Sequence, residues 1–412
     1  MSTAYPIEAL RALALHVQGL SGQNPDNSQA GLRALIQQLG AVQIDTLHVV
    51  QRSQYLVLWS RLGDYAPADF DALLSDPQQR ALFEYWSHAA CLLPLEHFRY
   101  YLPGMLRRRQ DEMGWAWRML NDSDEPAQVL ANVRQRVQQE GALRSVDFEH
   151  RQRWAGAWWN WKPAKAALEH LFDTGELMVS GRVNFQRLYD LQERVLPAWV
   201  DTRLPAEDET LRFFLSLGAR ALGVCLPDQL GDYTYMKKTA ARPGVQALLK
   251  SGELQAVRGI LADGSTRELV VHREVLPWLE RAADGELLPR RTTFLSFFDS
   301  LFWARERDRL FWNFKNTIEA YKPAPTRQWG YFCLPILHRG QLVGRLDPKM
   351  ERSARRMRLK ALYLEPGFEP TEQLVSEVAE ALREFMRFHQ AQDVVIERSD
   401  PADFGELVLQ AL

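Results

Sequence analysis

Apolar residues recur at helical spacing near the start of the chain. Ile7, Leu10, Leu13, Leu15 and Val17 form one stripe and predict a helix. The polar segment SGQNPDNSQ reads as a loop, helical spacing resumes from Gly31 to Leu39, and Gly40 is placed to close that helix. VQID is short and extended, and Thr46 is predicted to begin another helix. Helix, helix, short strand, helix is the outline of a winged-helix or helix-turn-helix module.

The outline recurs. WKPAKAALEHLFDTGELMVSGRVNFQRLYDL predicts a helix from Pro163 to Phe172, a turn at Thr174-Gly175 and two strands around Arg182. PGVQALLKSGELQAVRGILADGSTRELVVHREVL repeats the plan, with an Asp-Gly hairpin signal between its strands. HLFDTGELMV and ALLKSGELQAV form an internal repeat about eighty residues apart. Past residue 290 the pattern changes. YFCLPIL, HRG and QLVGRLD predict a hairpin, RMRLKALYLEPG a further strand, and TEQLVSEVAEALREFMRFHQA an amphipathic helix. The expected architecture is α+β: three tandem winged-helix modules over residues 1–120, 121–205 and 206–288, then a hairpin-containing C-terminal α/β domain over 289–412.

Composition narrows the picture further. No run of eighteen apolar residues exists and the N-terminus lacks the features of a secretion signal. Cys91, Cys225 and Cys333 are too few for a disulfide framework or a cysteine zinc site, so a reduced, cytoplasmic setting is expected. A net charge of −2 argues against a dedicated nucleic-acid binder, but the charge is unevenly spread. Residues 340–360 carry net +5 and residues 361–380 net −5, so one face can attract phosphate, unless these are simply two solvated neighbouring segments. No heptad repeat appears, so a monomer is the default.

The chain lacks GxGxxG after a strand, GxxxxGK[ST] and HExxH, and its nine histidines are scattered, so no metal or cofactor is expected. Gln43-Ile44-Asp45 is more informative. In an extended segment Gln43 and Asp45 share one face while Ile44 packs inward. A carboxylate beside an amide can hold a water, take its proton and stabilise an oxocarbenium-like sugar. The competing reading is that Asp45 or Thr46 caps the next helix.

The blocks GAVQIDTLHVVQRSQYLVLWSRLG, FEYWSHAACLLP, WWNWKPAKAALEHLFDTGELMVSGRVNFQRLYDLQERVLP and FLSFFDSLFWARERDRLFWNFKNTIEAYKPAPTRQWGYFCLPILHRGQLVGRLDPKMER change the weighting. Together, over about residues 6 to 370, they resemble the winged-helix crosslink-repair DNA glycosylases, on the YcaQ rather than the AlkZ branch. The resemblance implies a monofunctional enzyme that wraps duplex DNA, excises N7-alkylated purines and unhooks interstrand crosslinks. It also implies that the catalytic motif, Gln, apolar residue, then Gln or Asp, falls on Gln43 and Asp45.

Other candidates rest on the residues themselves. Glu84, Tyr85, Trp86 and His88 in FEYWSH are expected on a helix lining the catalytic cleft, or else as a buried Glu–His brace. Arg107 and Arg108, with Arg109 beside them, and Arg345, Lys349, Arg352, Arg355 and Arg356 are expected DNA contacts. Tyr189, Asp190, Glu193 and Arg194 read as a structural network, and Trp158, Trp159 and Trp161 as anchors of a domain junction. Two rivals remain: a non-catalytic winged-helix regulator and a hydrolase acting on nucleosides.

Overall fold

The first apolar stripe folds as the helix Ile7–Val17, and burial surrounds it rather than covering one face. Leu10, Leu13, Ala14 and Leu15 are fully buried and share a core with Leu269, Val271, Phe311, Leu337 and Leu342. The computed structural model describes residues 4–22, 26–111, 114–123, 125–148 and 161–412. Trp158 and Trp159 lie outside the described residues, as does the side chain of Trp161. Two compact units emerge: Met1–Pro67, Ser87–Cys91 and Leu211–Leu412 in one, Ala68–Trp86 and Leu92–Thr210 in the other. The mixed helix and strand content makes the fold α+β. No described helix is long and apolar enough to cross a membrane.

In the first unit the helix Gln29–Leu39 begins where the Ser28 hydroxyl accepts the Gly31 amide, and it ends at Gly40 in the left-handed region at φ 73°. A Cβ on Gly40 would also meet Leu217 Cδ1 at 2.5 Å, so both backbone angle and space require glycine. The strand Val42–Gln43 follows. Thr46 does not start a helix: residues 44–52 stay irregular and the next helix is Ser53–Leu62. The reason is that this segment's polar groups find partners outside any helical ladder, on its own Asp45 and on residues 350 and 352.

Further along this unit, the helix Lys238–Lys250 leads into the strands Leu254–Ile260 and Thr266–His272, which turn at Asp263-Gly264 as expected. The last strand lies in the middle, pairing with Leu254–Ile260 on one side and Val224–Cys225 on the other. The C-terminal sheet places Thr292–Phe294, Leu334–His338, Gln341–Glu351, Arg356–Leu364 and Asp393–Ile396 side by side, with Ser399–Asp400 also on Arg356–Leu364. The predicted HRG turn forms with Arg339 and Gly340 both at positive φ, 45° and 90°, which matches the twist of a tight hairpin. The helix Glu372–Phe388 buries Leu374, Val378, Leu382 and Phe385 at helical spacing and sets the Phe385 ring against Phe294 and Trp59.

The second unit contains the helices Phe98–Asp111, Trp115–Asn121, Pro126–Glu140 and Trp161–Asp173, followed by the hairpin Leu177–Val183 and Gln186–Leu191. Its turn is at Asn184-Phe185, both left-handed, rather than at Arg182. Leu143 and Tyr189 exchange both backbone hydrogen bonds at 2.9 Å, so the last strand is again the central one. FEYWSH is not a helix. Leu82–Trp86 is a strand, so Glu84 and His88 share no helical face. The β-preferring aromatics Phe83 and Tyr85 outweigh the four-residue spacing of Glu84 and His88. In the proposed network, Arg194 donates to the Val137 and Gln138 carbonyls at the end of Pro126–Glu140, and the Tyr189 hydroxyl to Glu169.

Candidate functional site around Asp45

The Gln43-Ile44-Asp45 segment is tied down at its centre, where the Ile44 amide donates to the Ala90 carbonyl at 2.8 Å. Gln43 and Ile44 are both buried, and Asp45 stays half-buried. One Asp45 oxygen, Oδ1, accepts the Leu47 amide at 2.7 Å. That bond fixes the side chain against its own loop, and the other oxygen has no protein donor among the described residues. The capping alternative is thereby ruled out for this helix, whose first turn begins at Ser53 and receives no side-chain cap.

Burial raises the Asp45 carboxyl above the usual carboxylate range, outweighing the opposing pull of the Leu47 amide. If the ionised form does the work, activity is lost as pH falls through this raised value. The acid limb of kcat/KM is therefore expected at higher pH than an ordinary aspartate gives, and a pH–rate profile measures it. An acid limb at or below the usual aspartate value would remove Asp45 as the group responsible.

The loop after Asp45 is clamped to the hairpin formed by Gln341–Glu351 and Arg356–Leu364. The Arg352 guanidinium donates to His48 Nε2 at 2.8 Å and to the Val50 carbonyl at 2.9 Å, and the Met350 amide reaches the Val49 carbonyl at 3.5 Å. His48 is held below its usual range by burial and then by the charges of Arg352 and Arg52, which leaves a neutral ring nitrogen to accept. Lys349, Arg352 and Arg355 are exposed around the hairpin tip, with Arg355 left-handed at φ 48° and bonded to the Gln390 carbonyl. Arg356 is half-buried and pairs with Asp393 at 2.7 Å.

Arg345 is a correction. It is 3% exposed, paired with Glu365 and sandwiched between the Phe314 and Trp329 rings at 4.3 Å each, so it is not available to a phosphate. Counting basic residues overlooked that position 345 lies within a covered stretch of strand.

His88 belongs to the same unit as Asp45. It stacks flat on Trp303, with centroids 4.5 Å apart and planes within 1°, and its Nδ1 lies 2.9 Å from the Asp232 carbonyl. It reaches Asp45's neighbourhood through Ala90, the partner of Ile44.

The other three residues of the FEYWSH group belong to the second unit and serve its interior. Glu84 is 1% exposed and bridges Arg182 and Arg187 at 2.7 and 2.5 Å. Burial alone would raise its carboxyl, but the two guanidiniums outweigh it and hold it below the usual range. Tyr85 is 2% exposed, its hydroxyl donating to the Asp173 carbonyl and receiving Arg108 at 2.9 Å. Glu84 and Tyr85 are therefore bracing residues, not cleft-lining ones. Trp86 is half-buried, its Nε1 donating to Asp173 at 2.5 Å. Arg107 is exposed on its helix, Arg108 is half-buried against Tyr85, and Arg109 reaches the Thr174 carbonyl.

Sequence reading missed Tyr321. It is 69% exposed, and the charge of Asp45 acts on its phenol. A tyrosine in the polar, proline-bearing stretch AYKPAPTRQWG, far along the chain from position 45, has no periodicity or motif to mark it.

A family model described as DNA glycosylase AlkZ-like matches residues 36–388. Among solved structures, the Streptomyces sahachiroi DNA glycosylase AlkZ superposes with a TM-score of 0.64, covering 96% of this chain and 100% of that one at 13% identity.

Proposed function

The chain belongs to the AlkZ-like DNA glycosylase family, and from that premise we propose that it releases N7-alkylated purines from duplex DNA and unhooks interstrand crosslinks joined through them. The single observation that carries the reading is the half-buried Asp45 carboxylate, fixed by its own loop and left with one oxygen for chemistry. Family membership makes the chain an enzyme that hydrolyses an N-glycosyl bond in DNA. The substrate range, the catalytic pair, the Gln-x-Asp branch and the division into three winged-helix modules are our reading.

In this mechanism the duplex is held mainly through phosphates, by Lys349, Arg352 and Arg355 at the hairpin tip. An N7-alkylpurine already carries positive charge, so its bond to C1′ weakens without a strong general acid. As that bond breaks, the electron pair stays with the base, which leaves neutral. The positive charge moves to the sugar, where the Asp45 carboxylate stabilises it. Gln43 and Asp45 direct a water to C1′. Its oxygen forms the new bond, its proton passes to Asp45, and an abasic site remains. A base tethered to both strands cannot swing freely out of the helix, so crosslink unhooking has to proceed with the base in or near the stack.

The test is incubation with a duplex carrying one N7-methylguanine, and with a duplex joined by one N7-guanine crosslink, each followed by alkaline strand cleavage. Breaks at the modified guanine, and loss of the crosslinked band, are the expected results. Binding without base release would leave the alkylpurine reading without support. Release of methylguanine with crosslinks untouched would remove only the unhooking.

A further inference from the structure

The loop between the helix Arg307–Trp312 and the strand Leu334–His338 is built at unusual cost. Asp308 Oδ2 accepts the Asn316 amide at 2.7 Å. Glu319, 3% exposed, accepts the Trp329 and Gly330 amides at 2.7 and 3.3 Å and the Lys322 ammonium at 2.9 Å. Asp347, 4% exposed, accepts the Tyr331 and Phe332 amides at 2.9 Å each. Gly330 sits at φ 151°, and a Cβ there would collide with the Asp347 carboxylate. Three carboxylates taken partly or wholly out of water are committed to tying this one exposed loop at residues 316, 322 and 329–332.

What the loop displays is Tyr321, a large ring left 69% exposed two residues after Glu319. The strand Gln341–Glu351 places the base of that loop, where Asp347 holds Tyr331 and Phe332 next to the Trp329 and Gly330 amides bound by Glu319. Asp347 on this strand holds the Tyr321 loop, while Met350, three residues on, holds Val49 of the Asp45 loop. At about 3.3 Å per residue the two anchor points are roughly 10 Å apart. The two loops are therefore neighbours, and the Tyr321 phenol registers it: partial burial and then the charge of Asp45 hold it above its usual range.

We infer that Tyr321 is a specificity-determining residue whose ring face receives the cationic alkylated purine while Asp45 attends its sugar. The inference deepens the proposed function and rests on it. An aromatic face attracts positive charge through its quadrupole, whereas an undamaged purine gains only ordinary stacking. The same attraction has a kinetic signature. The base loses its charge as the glycosidic bond breaks, so contact with the ring favours the bound ground state at least as much as the transition state. Losing the ring therefore raises KM and leaves kcat unchanged or slightly higher.

The test compares binding to two duplexes that cannot be cleaved. One carries 2′-fluorinated N7-methylguanosine, which keeps the cation. The other carries 7-methyl-7-deazaguanine, its neutral isostere. The parent is expected to prefer the cation by about 3- to 30-fold, the range of aromatic–cation contacts from exposed to desolvated sites. Tyr321→Phe keeps that ratio and Tyr321→Leu brings it to about 1, with KM for N7-methylguanine release rising in the same proportion and kcat held. A Tyr321→Leu protein that still prefers the cation, or a parent with no preference, overturns the inference. Failure of the parent to release N7-methylguanine at all overturns instead the reading beneath it. The exposed position of Tyr321 keeps both variants foldable.

Discussion

Asp45→Asn is expected to slow release of N7-methylguanine by about 10²- to 10³-fold, the loss typical of removing one preorganised electrostatic stabiliser. Binding to the same duplex should stay within a factor of about 3, because the phosphate contacts that supply most of the affinity are made by other residues. The substitution is informative because of its geometry. Asn retains an Oδ1 that can accept the Leu47 amide, so the bond shaping the loop survives. What disappears is the charge on the remaining oxygen, together with its capacity to take a proton from water. Single-turnover excision beside a gel-shift titration separates the two effects. The acid limb of the pH profile should vanish in the variant, since no titrating carboxyl remains at that position. A variant that excises at the parent's rate would leave Asp45 a loop-shaping residue only. That outcome would favour a DNA-binding regulator if the parent is also inactive.

Asp299→Ala is expected to cost about 3–5 kcal/mol of stability, because it strands a buried guanidinium. Arg61 is 1% exposed and Asp299 0%. The two meet through a fork, Arg61 Nη1 to Oδ2 at 2.7 Å and Nη2 to Oδ1 at 2.8 Å. Arg61 also donates to the Gln18 backbone carbonyl and side-chain oxygen and to the Val57 carbonyl, and Ser300 donates to Gln18. The cluster pins the helix Ser53–Leu62, which the Asp45 loop feeds, to Gln18 and Asp299, two stretches of its unit far apart in sequence. Urea unfolding gives the measurement, read as a fall in midpoint with an unchanged slope. Replacing both partners by apolar residues, Arg61→Met with Asp299→Leu, should recover much of the loss, since the penalty lies in the unpaired charge. A single variant as stable as the parent would show that solvent reaches Arg61 in solution.

Where local pattern and tertiary environment agreed, the chain could be read directly. Gly40, Asp263-Gly264 and Arg339-Gly340 mark their turns because only particular backbone angles fit there. The helix Glu372–Phe388 declares itself by its period. The proposed motif at Gln43 and Asp45 rests on long blocks of family-like sequence, since the bare triplet fits a helix cap equally well. The failures share one physical cause. Thr46 begins no helix because partners distant in sequence claim the loop's polar groups, and Glu84 is not a helical partner of His88 because its strand carries it to two arginines about a hundred residues away. Arg345 reads as a surface charge, but two aromatic rings of the loop between Arg307–Trp312 and Leu334–His338 close over it. Charge and spacing are local properties, whereas burial depends on the whole fold.

The clamp between Arg352 and the His48–Val50 segment bears on how the chain can change length. Exposed hairpin bends are normally where insertions and deletions do least harm. Here the bend at residues 352–355 also holds the loop that follows Asp45. One residue added or lost would carry the guanidinium off His48 and release the backbone that aims Asp45. Natural variation in length should therefore collect at other turns, such as Asp263-Gly264, and spare this one.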